Sequence, residues 1–476
     1  MIDTNTIKDR ILSFAYQGKL VEPSQLSNDS IEAIHVCIKG YIPVSEEEHL
    51  ITIPKEWKWT RLGYVTSNHG QVTPSDTFSY IDVGTLDNVN HRLSFSENIV
   101  EAKDAPSRAK KVVEAGDVIY STVRPYLHNI CIIDKDFSYT PIASTAFCVM
   151  HANEEALDNK FLFYWLLTKE FDKYSNGDPS KGALYPAIGE KDLLKGVIPL
   201  PAVSEQKAIV AKIEAVFEIL DKIDALQNQY ASNQEALKSK LIDAAIQGKL
   251  TEQFTEDGTA EELINRIAVE KKKLIEDGKI PKEKKLQEIR KEEIPFKIPE
   301  SWRWARVQDV ASYITDYVAN GSFATLKAHT KTYKEPNYAL FVRTMDLSSG
   351  FKDGCSYIDK ESYDFLGKSK LFGGELILPN IGASIGKAFI MPDMKMPMSL
   401  APNSILLKFT EPIMNEYFSF VVKSTYGGKL LNKTQGGSAT AKFSKTDLRS
   451  LVVPLPPLKE IIRIVDTLNK TLELIA

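Results

Sequence analysis

Between Lys423 and Lys445 the chain concentrates glycine, lysine and amide side chains: Tyr426-Gly427-Gly428-Lys429, then Asn432-Lys433-Thr434-Gln435-Gly436-Gly437-Ser438-Ala439-Thr440-Ala441-Lys442. In a loop, glycines let backbone approach a phosphate, lysines neutralise it, and an amide pairs its donor and acceptor with an adenine edge. That chemistry suits nucleic acid and nominates Lys429, Lys433, Gln435, Ser438, Thr440 and Lys442. A shorter and less basic run from Asn176 to Tyr185 nominates Ser180, Lys181 and Tyr185. Arg124-Pro125-Tyr126 directly follows a β-rich run, with Arg108, Lys110 and Lys111 nearby, and adds Arg124 and Tyr126. The competing reading for each residue is a surface loop with solubilising lysines.

Catalytic constellations do not assemble in the same way. Methylation of base amino groups calls for a [DN]-P-P-[FY] loop, and Asp178-Pro179-Ser180 and Glu335-Pro336-Asn337-Tyr338 approximate it poorly. Gly382-Ala383-Ser384-Ile385-Gly386-Lys387-Ala388 is one residue short of a P-loop and lacks its magnesium-binding hydroxyl. Histidines stand scattered at 35, 49, 69, 91, 128, 151 and 329, with no Cys/His cluster, so no metal site is expected. Pro392-Asp393 and Glu270-Lys271-Lys272 are nuclease-like scraps in the wrong order. The expectation is a chain without catalytic residues or a cofactor of its own.

The elements that must position the candidate loops come as a repeat. Ile53-Pro54-Lys55-Glu56-Trp57-Lys58-Trp59 returns as Ile298-Pro299-Glu300-Ser301-Trp302-Arg303-Trp304, and Ile198-Pro199-Leu200-Pro201 returns as Val453-Pro454-Leu455-Pro456. Gly116-Asp117-Val118-Ile119 and Gly374-Glu375-Leu376-Ile377 form a third pair. Gln17-Gly18-Lys19-Leu20 recurs as Gln247-Gly248-Lys249-Leu250, but one copy closes a central helix while the other sits at the N-terminus. The repeat is therefore circularly permuted: a helix over 457–476 joined in space to one over 3–17 would rebuild the central helix in two pieces.

Within each long unit, β-rich runs (Asp117 to Val123, Asn129 to Ile133, Ala339 to Met345, Leu376 to Pro379, Ser404 to Phe409) alternate with one aromatic-rich helix, Asn159 to Tyr174 and Met414 to Thr425. The fold class is α/β or α+β. Ile209, Ile213, Val216, Leu220, Ile223, Gln227, Tyr230, Gln234, Leu237, Leu241 and Ala244 follow alternating 4,3 spacing, the seam of a coiled coil. Ser204 is placed to cap this helix and Gly248 to end it, giving a rod of roughly 65 Å. Polar Gln227 and Gln234 on the seam can fix register. The charged stretch 255–293, with apolar Leu263, Ile267 and Leu274, reads as a helical linker, and 21–50 as its shorter counterpart.

Length and charge fit this organisation. The 476 residues are enough for two or three domains, and a net charge of -4 argues on its face against a phosphate binder. The acidity is uneven: residues 298–455 hold 19 Lys plus Arg against 14 Asp plus Glu, whereas 51–200 hold 16 against 19. Four cysteines at 37, 131, 148 and 355 lack C-x-x-C spacing, and no apolar run is long enough for a membrane span, so a cytoplasmic protein without disulfides is expected.

Taken together, the two Ile-Pro-x-x-Trp-x-Trp segments, Pro199-Leu200-Pro201-x-x-x-Glu205-Gln206-x-x-Ile209-Val210, the Gln-Gly-Lys-Leu turns and the permuted order resemble the DNA-specificity subunits of type I restriction-modification systems. The second copy departs at Ile461, where the family usually has Gln, and the chain stops at Ala476. The resemblance implies two target-recognition domains at 52–200 and 298–455, each reading one half of a split asymmetric double-stranded DNA site. It also implies two long antiparallel helices that hold them apart: a central one at 201–250 and a distal one made from 1–20 and 456–476, with linkers at 21–51 and 251–297. Two modification subunits would dock on the helices and bring S-adenosylmethionine chemistry, and ATP-driven restriction subunits would join for cleavage. Alternatives are a stand-alone DNA-modifying enzyme with a divergent nuclease or methyltransferase site, and a coiled-coil scaffold that binds only protein.

Overall fold

The structure, a computed structural model, describes residues 1–476 apart from 23–28, 95, 177–186, 353, 434–441 and 476. It divides into two compact units, Met1–Gln229 and Tyr230–Ala476. The sequence repeat is also a repeat of strand order. In the first unit an antiparallel sheet runs Thr66–Ser67, Phe147–Ala152, Val118–Ser121, Ile130–Ile132. In the second, Tyr313–Asp316, Ser404–Lys408, Leu376–Pro379 and Phe389–Ile390 follow the same order. Each unit has a second sheet with a single parallel pairing, Phe78–Ile81 with Pro141–Ser144 and Ala339–Val342 with Met398–Leu400. Mostly antiparallel sheets interspersed with helices make each unit α+β.

The repeated motifs meet in space. The Trp-x-Trp and Pro-Leu-Pro segments form a two-stranded antiparallel ribbon in each unit, with Trp59 opposite Pro199 and Trp304 opposite Pro454. Proline is tolerated because such a ribbon leaves each strand an unpaired edge. Beneath it the Trp57 indole donates to Glu205 Oε1 at 3.1 Å, and the Trp302 indole to Glu460 Oε2 at 2.8 Å, all four residues being buried. Gly18 and Gly248, both at φ +69°, sit where a Cβ would lie 2.3 and 2.4 Å from the rings of Pro54 and Pro299. Only glycine serves at such a left-handed close approach. Each entry motif is thus gripped by the end of one helix and the start of another. In the first unit these are the end of Thr4–Tyr16 and the start of Val203–Ile246; in the second they are the end of Val203–Ile246 and the start of Leu458–Ile475.

The cores follow from these grips. Leu12, Ala15 and Tyr16 join Ile209 and Ile213 around Trp57, Phe161 and Trp165. In the second unit Ile242, Ala245 and Ile246 join Ile461, Ile464 and Leu468 around Trp302, Tyr417 and Phe418. The central helix is continuous over 44 residues, but its buried face does not keep the heptad seam. Ile209, Ile213 and Leu220 are buried as the seam requires, whereas Tyr230 and Leu237 are 64% and 46% exposed and the buried positions near the end are 242, 245 and 246. A straight helix drifts about 20° per heptad against a 3.5-residue repeat, so five heptads turn the face by about one residue. The seam glutamines do take partners: Gln227 holds both the N–H and the carbonyl of Ile2, and Gln234 Nε2 donates to the Ile475 carbonyl at 2.7 Å.

Several boundaries differ from the sequence reading. The aromatic helix is two helices, Asn159–Leu166 and Lys169–Asn176, because the Thr168 hydroxyl donates to Trp165 O and accepts from Phe171 N, ending one and capping the next. The run Ala339 to Met345 leaves its strand at Val342, where Asp346 accepts the Arg343 N–H and opens the short helix Thr344–Ser349. Helix Val203–Ile246 starts before Ser204, which lies inside its first turn. Stretch 255–293 is helical chiefly over Ala260–Glu276, and it is a packed element of the second unit: Leu263 and Ile267 are in its core, and Lys271 Nζ donates to Glu283 and to the carbonyl of Gln308 at 2.7 and 2.6 Å. Among the described residues no helix is long and apolar enough to cross a membrane.

Candidate nucleic-acid interface

Strand Val118–Ser121 runs into the 3-10 turn Pro125–Leu127, flanked by Arg124 (φ 52°, ψ 61°) and His128 (φ 49°, ψ 42°). Two non-glycine residues in the left-handed region cost energy that the surroundings must repay, and such positions cluster at functional sites. Side-chain contacts among the described residues help hold the turn. His128 Nε2 meets the Asp172 carboxylate of helix Lys169–Asn176 at 2.7 and 2.8 Å, and Asn88 Nδ2 donates to Leu127 O at 2.8 Å. The hydrogen bond to Asp172 raises the His128 pKa above the ordinary imidazole value, against the effect of burial. Arg124 and Tyr126 are exposed on this held turn.

The chain returning from 177–186 arrives at the same place. Ile188 N–H donates to Thr122 O at 2.9 Å, and Val123 bridges to Ala187. Ser180, Lys181 and Tyr185 lie outside the described residues.

The second unit repeats the arrangement. Strand Leu376–Pro379 leads to the 3-10 turn Gly382–Ser384. Phe443 N–H donates to Asn380 O at 3.1 Å, Asn380 Nδ2 donates to Phe443 O at 2.9 Å, and Ile381 bridges to Lys442. Lys442 is exposed there; Gln435, Ser438 and Thr440 lie outside the described residues. The segment rejected as a P-loop therefore occupies the position of Arg124-Pro125-Tyr126, and it brings exposed Lys387 with it. Lys387 and Asn380 were missed by sequence reasoning. Their signal was the 258-residue offset between Gly116 and Gly374, which, carried forward, sets Gly382 against Arg124.

One part of the proposed loop is not a loop. Residues Thr425–Lys433 form a helix. Gly427 serves helix packing and not phosphate approach, since a Cβ there would lie 2.1 Å from Val421 O. Tyr426 packs against Phe296 and Trp304 and donates to Val452 O at 2.7 Å. Lys429 is exposed on this helix, and for Lys433, at its end, only the backbone is described. The structure thus brings Arg124 with Tyr126 and sets Lys442 beside Asn380, while Lys429 belongs to a different element.

A chain that presents the same turn and returning segment twice, once in each of two like units, falls in the class of duplicated two-domain proteins. It belongs to the family of the type I restriction modification DNA specificity domain, whose model matches residues 54–229 and again 299–476. The specificity subunit of the type I restriction enzyme EcoDI from Escherichia coli is 27% identical over 250 residues, 52% of this chain and 54% of that one. The EcoAI specificity subunit, also from Escherichia coli, is 23% identical over 379 residues, 67% and 64% of the two chains. The chain thus spans about half to two thirds of these relatives' lengths. In fold it is similar to the HsdS subunit from Thermoanaerobacter tengcongensis, with a TM-score of 0.51 at 23% identity over 89% of this chain and 91% of that one. A chain from a type I R-M system, in a structure concerned with complex assembly and conformational transition, gives a TM-score of 0.62 at 23% identity, covering 89% and 92%.

Proposed function

We propose that this chain is the non-catalytic DNA sequence-specificity subunit of a type I restriction-modification enzyme. Each unit reads one half of a bipartite, asymmetric site in double-stranded DNA. The long helices set the spacing between the halves and dock two modification subunits, which carry S-adenosylmethionine, while ATP-consuming restriction subunits join for cleavage. The observation that carries this reading is the duplicated turn and returning strand: Arg124 and Tyr126 on the turn whose lead-in meets Ala187 and Ile188 in one unit, and in the other Lys442 beside Ile381, with exposed Lys387 just after the 3-10 turn Gly382–Ser384. Arginine, lysine, tyrosine and amide side chains on turns clear of the core are the groups that position on phosphates and read base edges. The modest charge of each unit supports dependence on partners, because a few cationic contacts alone give weak, salt-sensitive binding.

The test is domain exchange. Residues 52–210 are replaced by the matching unit of another family member, and the methylated sequence is mapped in cells supplying the modification subunit. One half of the site should change and the other stay; a change in both halves, or in neither, would refute modular reading. Lys442→Glu with Lys387→Glu should abolish protection of the second half-site sequence by the complex.

A further inference from the structure

We propose that His69, Asp117 and His151 of the first unit form a binding site for one zinc ion. They are 48 and 34 residues apart in sequence, which is why the histidines look scattered, yet the fold brings them to one point. His69 follows strand Thr66–Ser67, Asp117 immediately precedes strand Val118–Ser121, and His151 lies in strand Phe147–Ala152, which pairs with both. The Asp117 carboxylate is fully buried. Its Oδ1 lies 3.2 Å from His69 Nε2 and 2.8 Å from His151 Nδ1, and one ligand atom from each residue falls within 4.8 Å of the others.

Bonds of about 2.0–2.1 Å at tetrahedral angles place zinc ligand atoms roughly 3.3 Å apart. The observed spacings bracket that distance, so shifts of under an ångström would close the set. Two imidazoles and one carboxylate form a borderline donor set that suits zinc better than the oxygen-seeking magnesium or calcium.

The surroundings are those of a held ligand set. Asp117 Oδ2 accepts the Glu114 N–H at 2.8 Å and also lies 3.2 Å from His69 Nε2, while Oδ1 is shared between the two rings. Behind His69, Nδ1 lies 3.5 Å from Glu114 Oε1. If neutral His69 donates from Nε2 to Asp117, its Nδ1 lone pair faces a carboxylate. With a metal on Nε2 the proton moves to Nδ1 and points at Glu114, the carboxylate–histidine–metal relay common around zinc. His151 also lines a cavity of about 270 Å³ with Glu154, Asp158, Asn159 and Lys207; a water molecule would supply the fourth ligand. The ion would clip three adjacent strands together, a structural role separate from DNA reading.

The experiment uses the full untagged chain, stripped with chelator and titrated with Co²⁺ alone and with Zn²⁺ alone. One Co²⁺ per chain should bind, give the visible spectrum of a four-coordinate site, and be displaced by Zn²⁺; Zn²⁺ should also raise the Tm. His69→Ala should lose the metal, weakening binding by at least ~100-fold, and Glu114→Gln should weaken it by about tenfold. His151→Gln keeps an N–H for Asp117 and so preserves the hydrogen bond, but it should also lose the metal and the thermal shift. His49→Ala should bind as the parent does. Absence of saturable binding, or retention of the metal by either His69→Ala or folded His151→Gln, overturns the proposal.

Discussion

Single side chains do two kinds of work here: fixing the entry motif of each unit and holding the exposed turns. Trp57→Phe or Trp302→Phe would keep most of the buried ring area but leave Glu205 or Glu460 short of one donor. The expected loss is about 1–3 kcal/mol in urea unfolding, the cost of an unsatisfied buried polar group; a loss confined to a few tenths would show the indole bond to be incidental. His128 makes a pH-dependent prediction. Its folded pKa is raised by Asp172, so the stability it adds is fully present below the unfolded imidazole value of about 6.5 and is lost as pH rises through the folded value. His128→Gln should therefore cost more stability at about pH 5.5 than at about pH 8.5. Equal costs at both would mean the pair does not titrate as a unit. Residue identity was the most legible level in sequence. Trp57, Trp302, Gly18 and Gly248 stood out as repeated letters, and each has a physical reason to recur. Glu205 and Glu460 recurred too, but nothing in the sequence said they face tryptophans.

At the level of elements, periodicity was legible and its interruptions were not. The central helix was plain from uninterrupted 4,3 spacing, yet the heptad pattern put Tyr230 and Leu237 on the seam where the structure exposes them. The reason is rotational drift, which a count of apolar positions does not include. The Thr168 break was hidden because aromatic residues continue at helical spacing across it, and Thr425–Lys433 was hidden because Gly427-Gly428 reads as a loop until its packing partner is known. The pairing of Asn380 with Phe443 is a long-range contact that no local pattern announces. Shortening the central helix by one turn between the two units should change the spacing between half-sites in methylation maps while leaving the bases of each half unchanged. Altered bases would contradict the ruler role.

At the scale of the whole molecule, duplication was legible from the offsets alone, and so was the permuted order. The candidate interface was legible in part: Arg124, Tyr126 and Lys442 fall where the structure brings turns and returning segments together, whereas Ser180, Lys181, Tyr185, Gln435, Ser438 and Thr440 lie outside the described residues. Lys387 was obscured by its resemblance to a phosphate-binding motif of another kind.

The two copies also differ at one matched pair of positions. In the first unit Gln206, fully buried at the start of the central helix, accepts the backbone N–H of Asp158, the N-cap of the aromatic helix, and donates to the carbonyls of Ala156 and Pro201. In the second, Ile461 is buried in that place, and the N-cap residue is Pro412, which has no N–H to offer. Glutamine with an N–H donor and isoleucine with proline are two self-consistent solutions, and mixing them leaves a buried polar group without its mate. Recombination between relatives thus has a preferred joint. A transplanted unit that ends at residue 200 parts the N-cap from its helix partner, whereas one that runs past the first turns of the long helix carries the matched pair across intact, so lineages that trade recognition units should tolerate crossovers beyond position 206 better than those just before it.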